Sequence, residues 1–77
     1  MMDFSVVANR IMNMFMHEVP QFGAGMVRGA YEVTKNGEPL GIKHSTYDLA
    51  SKKADELAKD WCRARMVEIM QEELASA

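Results

Sequence analysis

Apolar residues recur along the start of the chain at helical spacing. Phe4, Val7, Ala8, Ile11, Met14 and Phe15 stand at i, i+3, i+4 and i+7, which predicts an amphipathic helix over residues 3–19. Asp3 suits its N-cap or first turn, where a carboxylate satisfies free amides. Met12 and Val19 widen the stripe, while Ser5, Asn9, Arg10, Asn13 and His17 fall opposite. Val6 lies among the polar residues and is expected to be exposed. Pro20 stops the helix, because it lacks an N–H and disfavours helical backbone at the residue before it. Gln21–Gly25 then reads as a short loop, with Phe22 turned back onto the core.

From Val27 to His44 the period changes from 3.6 to 2, and the stretch predicts a β-hairpin. Asn36-Gly37 is a preferred two-residue turn, since both residues tolerate positive φ. That turn sets Lys35 opposite Glu38, Val33 opposite Leu40 and Tyr31 opposite Ile42, with both apolar pairs on one face. Pro39 falls opposite Thr34 at a position that needs no ladder bond, and it blunts that edge. Arg28, Ala30, Glu32, Thr34 and Lys43 lie on the other face and are expected to be solvated. Gly29 marks a bulge or a close approach of the first helix.

Ser45-Thr46-Tyr47-Asp48 fits a capping box with Ser45 as N-cap, and no Pro or Gly follows it. A second helix is predicted over residues 45–74, and from Thr46 to Leu74 it is ~43 Å long at 1.5 Å per residue. Its apolar stripe changes sides. Tyr47, Ala50, Ala54, Leu57, Ala58, Trp61 and Ala64 share one line, which continues through Arg65, Glu68 and Glu72. Met66, Val67, Met70 and Leu74 form a new apolar patch elsewhere. Either the helix breaks near Arg63–Arg65 and folds back, or it runs straight and offers the new patch to another surface. The absence of a breaker favours the straight helix, with a second copy of the chain or a foreign protein as the partner.

The fold class is therefore α+β: N-terminal helix, antiparallel β-hairpin (27–44) and long C-terminal helix, in one small domain over 1–77. Both helices are expected on the Val33/Leu40/Tyr31/Ile42 face. The expected core draws Phe4, Val7, Ile11 and Phe15 from the first helix and Val27, Tyr31, Val33, Leu40 and Ile42 from the hairpin. Ala54, Leu57 and Trp61 complete it.

Composition narrows the function. A chain of 77 residues sits near the lower limit for one hydrophobic core, and 48% apolar residues argue against disorder. A net charge of -2 does not suit a dedicated polyanion binder. Cys62 is the single cysteine, which fits a reducing, cytoplasmic setting. No run approaches the roughly 18 apolar residues of a membrane span, and the start lacks a basic leader, so no membrane role is expected. The eight methionines serve as core filler or as an adaptable contact surface. His17, His44 and Cys62 lie singly on three elements, so no metal site and no cofactor is expected. Gly23-Ala24-Gly25 lacks the strand, helix and Lys-Ser/Thr of a phosphate loop. Asp55, Glu56, Asp60, Glu68, Glu72 and Glu73 read as a solvated face with partners such as Glu56–Lys59 and Arg65–Glu68. Catalysis is not expected.

Two resemblances bear on partners. Ser51-Lys52-Lys53-Ala54 is similar to the Ser-Lys-Lys-x-Ala opening of the last helix in double-stranded-RNA-binding domains, which also begin with a helix. It implies a nucleic-acid surface along Lys52, Lys59 and Arg63. The pattern departs from that family, which has three strands and sets the motif at the helix start. Asp48, Asp55, Glu56 and Asp60 also dilute the basic row. More broadly, the Tyr31-x-Val33-x-x-x-Gly37 hairpin running into a helix resembles small accessory proteins of bacteriophages and mobile elements, anti-CRISPR and other host-takeover inhibitors among them. This implies a non-enzymatic protein that binds and blocks a host protein complex. The expected contact surface is Met66, Val67, Met70 and Leu74 with Arg63 and Arg65 as flanking anchors, and homodimerisation through the second helix is the other use of it.

Overall fold

The computed structural model describes residues 3–76. Its elements follow as α1 (Phe4–His17), β1 (Phe22–Val27), β2 (Ala30–Lys35), β3 (Glu38–His44) and α2 (Tyr47–Ser76), an α+β chain. The strands form one antiparallel sheet in the order β1-β2-β3. The expected hairpin is β2–β3, and a third strand precedes it where the sequence reads as a loop. Two glycines within Phe22-Gly23-Ala24-Gly25-Met26-Val27 lower its strand propensity and conceal it. Its turn was also concealed. Arg28 (φ 51) and Gly29 (φ 83) join Val27 to Ala30 as Asn36 (φ 53) and Gly37 (φ 84) join Lys35 to Glu38. Gly29 is thus a turn residue rather than a bulge.

The β2–β3 register starts as expected, with Lys35 opposite Glu38 and Thr34 opposite Pro39. It then shifts between Thr34 and Glu32, so that Glu32 faces Lys43 and Tyr31 faces His44. The expected Val33–Leu40 and Tyr31–Ile42 pairs are not formed. Gly41 sits in the shifted stretch at φ 79, a left-handed conformation that side chains resist, and Leu40 becomes exposed. Glu32, expected in solvent, is buried at 5% exposure. Adding β1 makes β2 the central strand, and Glu32 is then flanked by Gly25 as well as Lys43.

The chain divides into two compact units. One comprises residues 20–59: the sheet and the first part of α2. Its buried centre is Val33, Ala50 and Ala54, with Phe22, Ala24, Tyr31, Ile42 and Leu57 packed against it. The small alanines let the helix approach the sheet closely. Tyr31 meets Tyr47 edge-on, with ring centroids 6.0 Å apart. The Thr46 hydroxyl accepts from the Leu49 amide at 3.3 Å, so Thr46 rather than Ser45 caps α2. Ser45 is one residue too early for a helix that starts at Tyr47, and Asp48 contributes as a first-turn acid instead.

The other unit comprises residues 1–19 and 60–77: α1 and the rest of α2. Asp3 caps α1 as expected, accepting from the Ser5 amide at 2.9 Å. Val7, Met14 and Ile69 are the buried hydrophobics of this unit among the described residues. Phe4 and Phe15, expected in the core, are exposed, and Ile11 is half-buried. Val6 is exposed as expected. The helix α2 runs unbroken from Tyr47 to Ser76, which excludes the alternative in which it breaks near Arg63–Arg65.

Candidate functional site

Charges fix how α1 lies along the end of α2. Arg10 donates one guanidinium nitrogen to Glu72 and the other to Glu73. Glu18, just past α1, pairs with Arg65 at 3.5 Å. As numbering rises from 10 to 18 on one helix it falls from 73 to 65 on the other, so the two run antiparallel. Arg65 also reaches Glu68 at 3.3 Å and Glu72 at 3.5 Å. The Arg10 hydrogen bond holds the Glu72 carboxyl below its usual range, against partial burial, with Arg65 adding attraction. The hydrogen bonds that Arg10 donates to Glu73 and Glu72 raise its pKa. Burial works against the charged form of Arg65, but Glu18 and Glu72 outweigh it and its pKa is raised.

This cluster occupies one flank of the seam. Asn9, Arg10, Asn13, Glu18, Arg65 and Ile69 line an open polar recess there. Every charged group in it is already paired, and it holds no nucleophile beside a base. The other flank is apolar. At 100° per residue, Phe4 and Phe15 project from α1, and Met66 and Met70 from α2, on the side of the seam away from Arg10, Asn13, Arg65 and Glu72. Met12 and Met16 carry the apolar surface outward over α1, and Val67 and Leu74 carry it outward over α2. Seven of these eight are between 43% and 77% exposed, and Met66 is half-buried.

The residues expected to bind a partner are therefore separated by the fold. Met66, Val67, Met70 and Leu74 stand on the apolar flank. Arg63 is exposed beside them, 3.8 Å from Asp60. Arg65 belongs to the ion cluster on the other flank. Phe4 and Phe15 are exposed there although the sequence stripe assigns them to the core, and Met12, at the widened edge of that stripe, is exposed with them. One signal for them exists: a stripe widened as far as Met12 is broader than one helix–helix seam can bury.

The basic row reads differently. Lys52, Lys59 and Arg63 are all exposed on α2. Lys53 lies 3.8 Å from Glu56, and Arg63 has Asp60 as its partner. Within the sheet unit a second open recess is lined by Pro20, Gln21, Phe22, Gly23, Thr34, Gly37 and Ala58, again without titratable chemistry. Among the described residues no group of three or more His, Cys, Asp or Glu is placed to hold a metal ion. None of the described helices is long and apolar enough to cross a membrane. No protein-family model matches the chain, and no curated protein or solved structure matches it either.

Proposed function

We propose that this chain is a small non-enzymatic protein-binding module whose contact surface is the apolar flank of the α1–α2 seam. One observation carries the reading: Phe4, Met12, Phe15, Met16, Val67, Met70 and Leu74 are exposed in one helical unit. Solvated apolar area on that scale is typical of a surface that another protein covers. Methionine supplies flexible, polarisable contacts that adapt to a partner. The setting follows from the resemblance to phage accessory proteins. There the chain acts in the cytoplasm of a bacterial host, by occupying a protein complex rather than by chemistry.

A nucleic-acid role through Lys52, Lys59 and Arg63 is the second reading. The third strand favours it, since the order helix, three strands, helix removes one departure from the double-stranded-RNA-binding pattern. The motif still begins at the fifth residue of α2, and the acids along the helix still offset the row. One pair of measurements separates the readings. Affinity capture from a bacterial lysate with the wild type and with Met66→Glu/Met70→Glu is expected to lose its specific protein in the variant. Filter binding of duplex RNA or DNA at low salt is expected to show no retention. Retention that falls steeply with salt, together with capture indifferent to the variant, replaces the first reading with the second.

A further inference from the structure

We infer that the free edge of β1 pairs antiparallel with β1 of a second copy, about a two-fold axis at Ala24. This contact belongs to the sheet unit. It goes beyond the protein-binding reading, which rests on the helical unit, and neither depends on the other.

The ladder leaves one row of backbone groups without partners. The Asn36 amide donates to the Gln21 carbonyl at 2.7 Å. Opposed residues of an antiparallel pair alternate between bonded and unbonded. Stepping by two from Gln21, Gly23, Gly25 and Val27 turn their amides and carbonyls toward Thr34, Glu32 and Ala30 of β2. Phe22, Ala24 and Met26 therefore turn theirs outward, where the sheet ends. No backbone bond outside the sheet ladder meets these three among the described residues. An extended backbone is the partner that offers donors and acceptors at this alternate spacing.

The two edges of the sheet are built differently. Along β3, Pro39 lacks a donor, Glu38 and Lys43 are exposed charges, and the register shifts beside Gly41 at φ 79. Each of these features discourages further pairing. The β1 segment, Phe22-Gly23-Ala24-Gly25-Met26-Val27, has no charge, no proline and no register shift against β2. Pairing at β1 is thus not repeated at β3, and the assembly closes at two copies.

A two-fold axis requires a strand that complements itself in reverse, and this segment does. Read from Ala24 in either direction it runs glycine, then a large apolar residue. With Ala24 on the axis, Phe22 lies opposite the partner's Met26 at both ends of the contact. These side chains stand on the α2 side of the sheet, where Phe22 and Ala24 pack. Met26 is 65% exposed in the single chain and has no cover there. The open recess at Pro20, Phe22 and Ala58 lies at the end that receives the partner's Met26. Gly23 lies opposite the partner's Gly25, and Arg28 opposite the partner's Pro20, so no like charges meet. The outward groups of Phe22, Ala24 and Met26 then form about six hydrogen bonds, two for each pair.

The test uses the full chain. Sedimentation from about 1 to 100 µM is expected to show a dimer that grows with concentration, as mass action requires. Residue-resolved hydrogen exchange of the wild type is expected to slow the Phe22, Ala24 and Met26 amides as concentration rises. The Gly23, Gly25 and Val27 amides, bonded to β2, should be slow at both ends of the range. Met26→Pro removes an outward donor and no bond to β2, so the sheet should form while the dimer weakens roughly 30-fold or more, the loss being repeated at both ends. Met66→Glu/Met70→Glu, in the helical unit, should leave the dimer intact. A monomer across the whole range overturns the inference, as do exchange rates at the three amides that ignore concentration. A dimer that survives Met26→Pro but is lost in Met66→Glu/Met70→Glu also overturns it and moves the contact to the apolar flank. If Met26→Pro does not fold, the wild-type exchange rates decide alone. Capture of a different protein through the apolar flank is read separately and is unaffected by either result.

Discussion

Replacing Ile69 with alanine tests whether the helical unit holds itself together through its own small interior. Ile69 is 1% exposed. The change removes three buried carbons, worth roughly 2.4 kcal/mol at ~0.8 kcal/mol each. The space left behind brings the loss to about 3 kcal/mol, within the roughly 2–5 kcal/mol such changes cost. Only Val7 and Met14 remain buried beside it in this unit among the described residues, so the loss falls on the docking of α1. At 1.36 kcal/mol per factor of ten, α1 amides should open about 100- to 200-fold more often. Hydrogen exchange followed by mass spectrometry reads this peptide by peptide at matched protein concentration. Peptides from α1 are expected to accelerate by that factor, and peptides from the central strand β2 to change little. Val33→Ala is the mirror experiment. It deletes two carbons at 0% exposure, costs roughly 2 kcal/mol, and should act first on the sheet. Equal acceleration of α1 and β2 in the Ile69 variant refutes the reasoning, because the chain would then open as one cooperative body. Unchanged α1 rates refute it too, because α1 would not depend on that contact.

Three other outcomes follow. Gly41→Ala meets no neighbour within 4 Å but must keep φ 79, so it is expected to cost about 1–2 kcal/mol and lower the melting temperature by roughly 4–15 °C. Gly25→Ala, also in open space but without a positive φ, should be neutral or slightly stabilising in the same thermal melts. Acid should loosen the helical unit through Glu72. Its pKa is lower folded than unfolded, chiefly through the Arg10 hydrogen bond, so its contribution is complete above the ordinary carboxylate range. That contribution is lost as pH falls below about 4 and through the folded pKa. Melts near pH 7 and near pH 3 should show a smaller acid loss for Glu72→Gln than for the wild type, and an equal loss contradicts the assignment.

How far the sequence foretold this depends on what each signal encodes. Periodicity reports that a helix has an apolar side, so α1 and α2 were legible, as was the swap after Ala64. It does not report how much of that side a neighbour covers, so Phe4 and Phe15 were placed in a core that does not reach them. Asn36-Gly37 identified one turn because both residues favour positive φ. Arg28 takes the same conformation at φ 51 without announcing it, and β1 vanished with that turn. The register was right next to the turn and wrong beyond it, because Gly41 admits a shift that no alternation of side chains reveals. Arg65 illustrates the limit for the site. Its spacing from the methionines suggested an anchor for a partner, yet the residue that decides its role is Glu18, 47 positions away and brought close only by the fold.

The change of stripe in α2 acquires a physical cause from that cluster. The line through Tyr47, Ala50, Ala54, Leu57 and Trp61 continues through Arg65, Glu68 and Glu72, where apolar residues would extend a single core. Those positions instead carry charges that pair among themselves and with Arg10 and Glu18. Such surface pairs contribute little net stability, but they fix orientation, because a misplaced charge loses its partner. The cluster thus sets which flank of the α1–α2 seam is polar, and by exclusion which flank holds Phe4, Phe15, Met66 and Met70. Reversing the whole cluster, with Arg10→Glu, Glu18→Arg, Arg65→Glu, Glu68→Arg, Glu72→Arg and Glu73→Arg, keeps that logic and should leave the apolar flank and its partner binding intact. Arg10→Glu alone sets like charges against Glu72 and Glu73, and it should impair partner binding although it lies on the opposite flank. Capture on the two variants decides it. Rescue by the full reversal supports a positioning role for the cluster, and equal binding by the single change and the wild type removes that role.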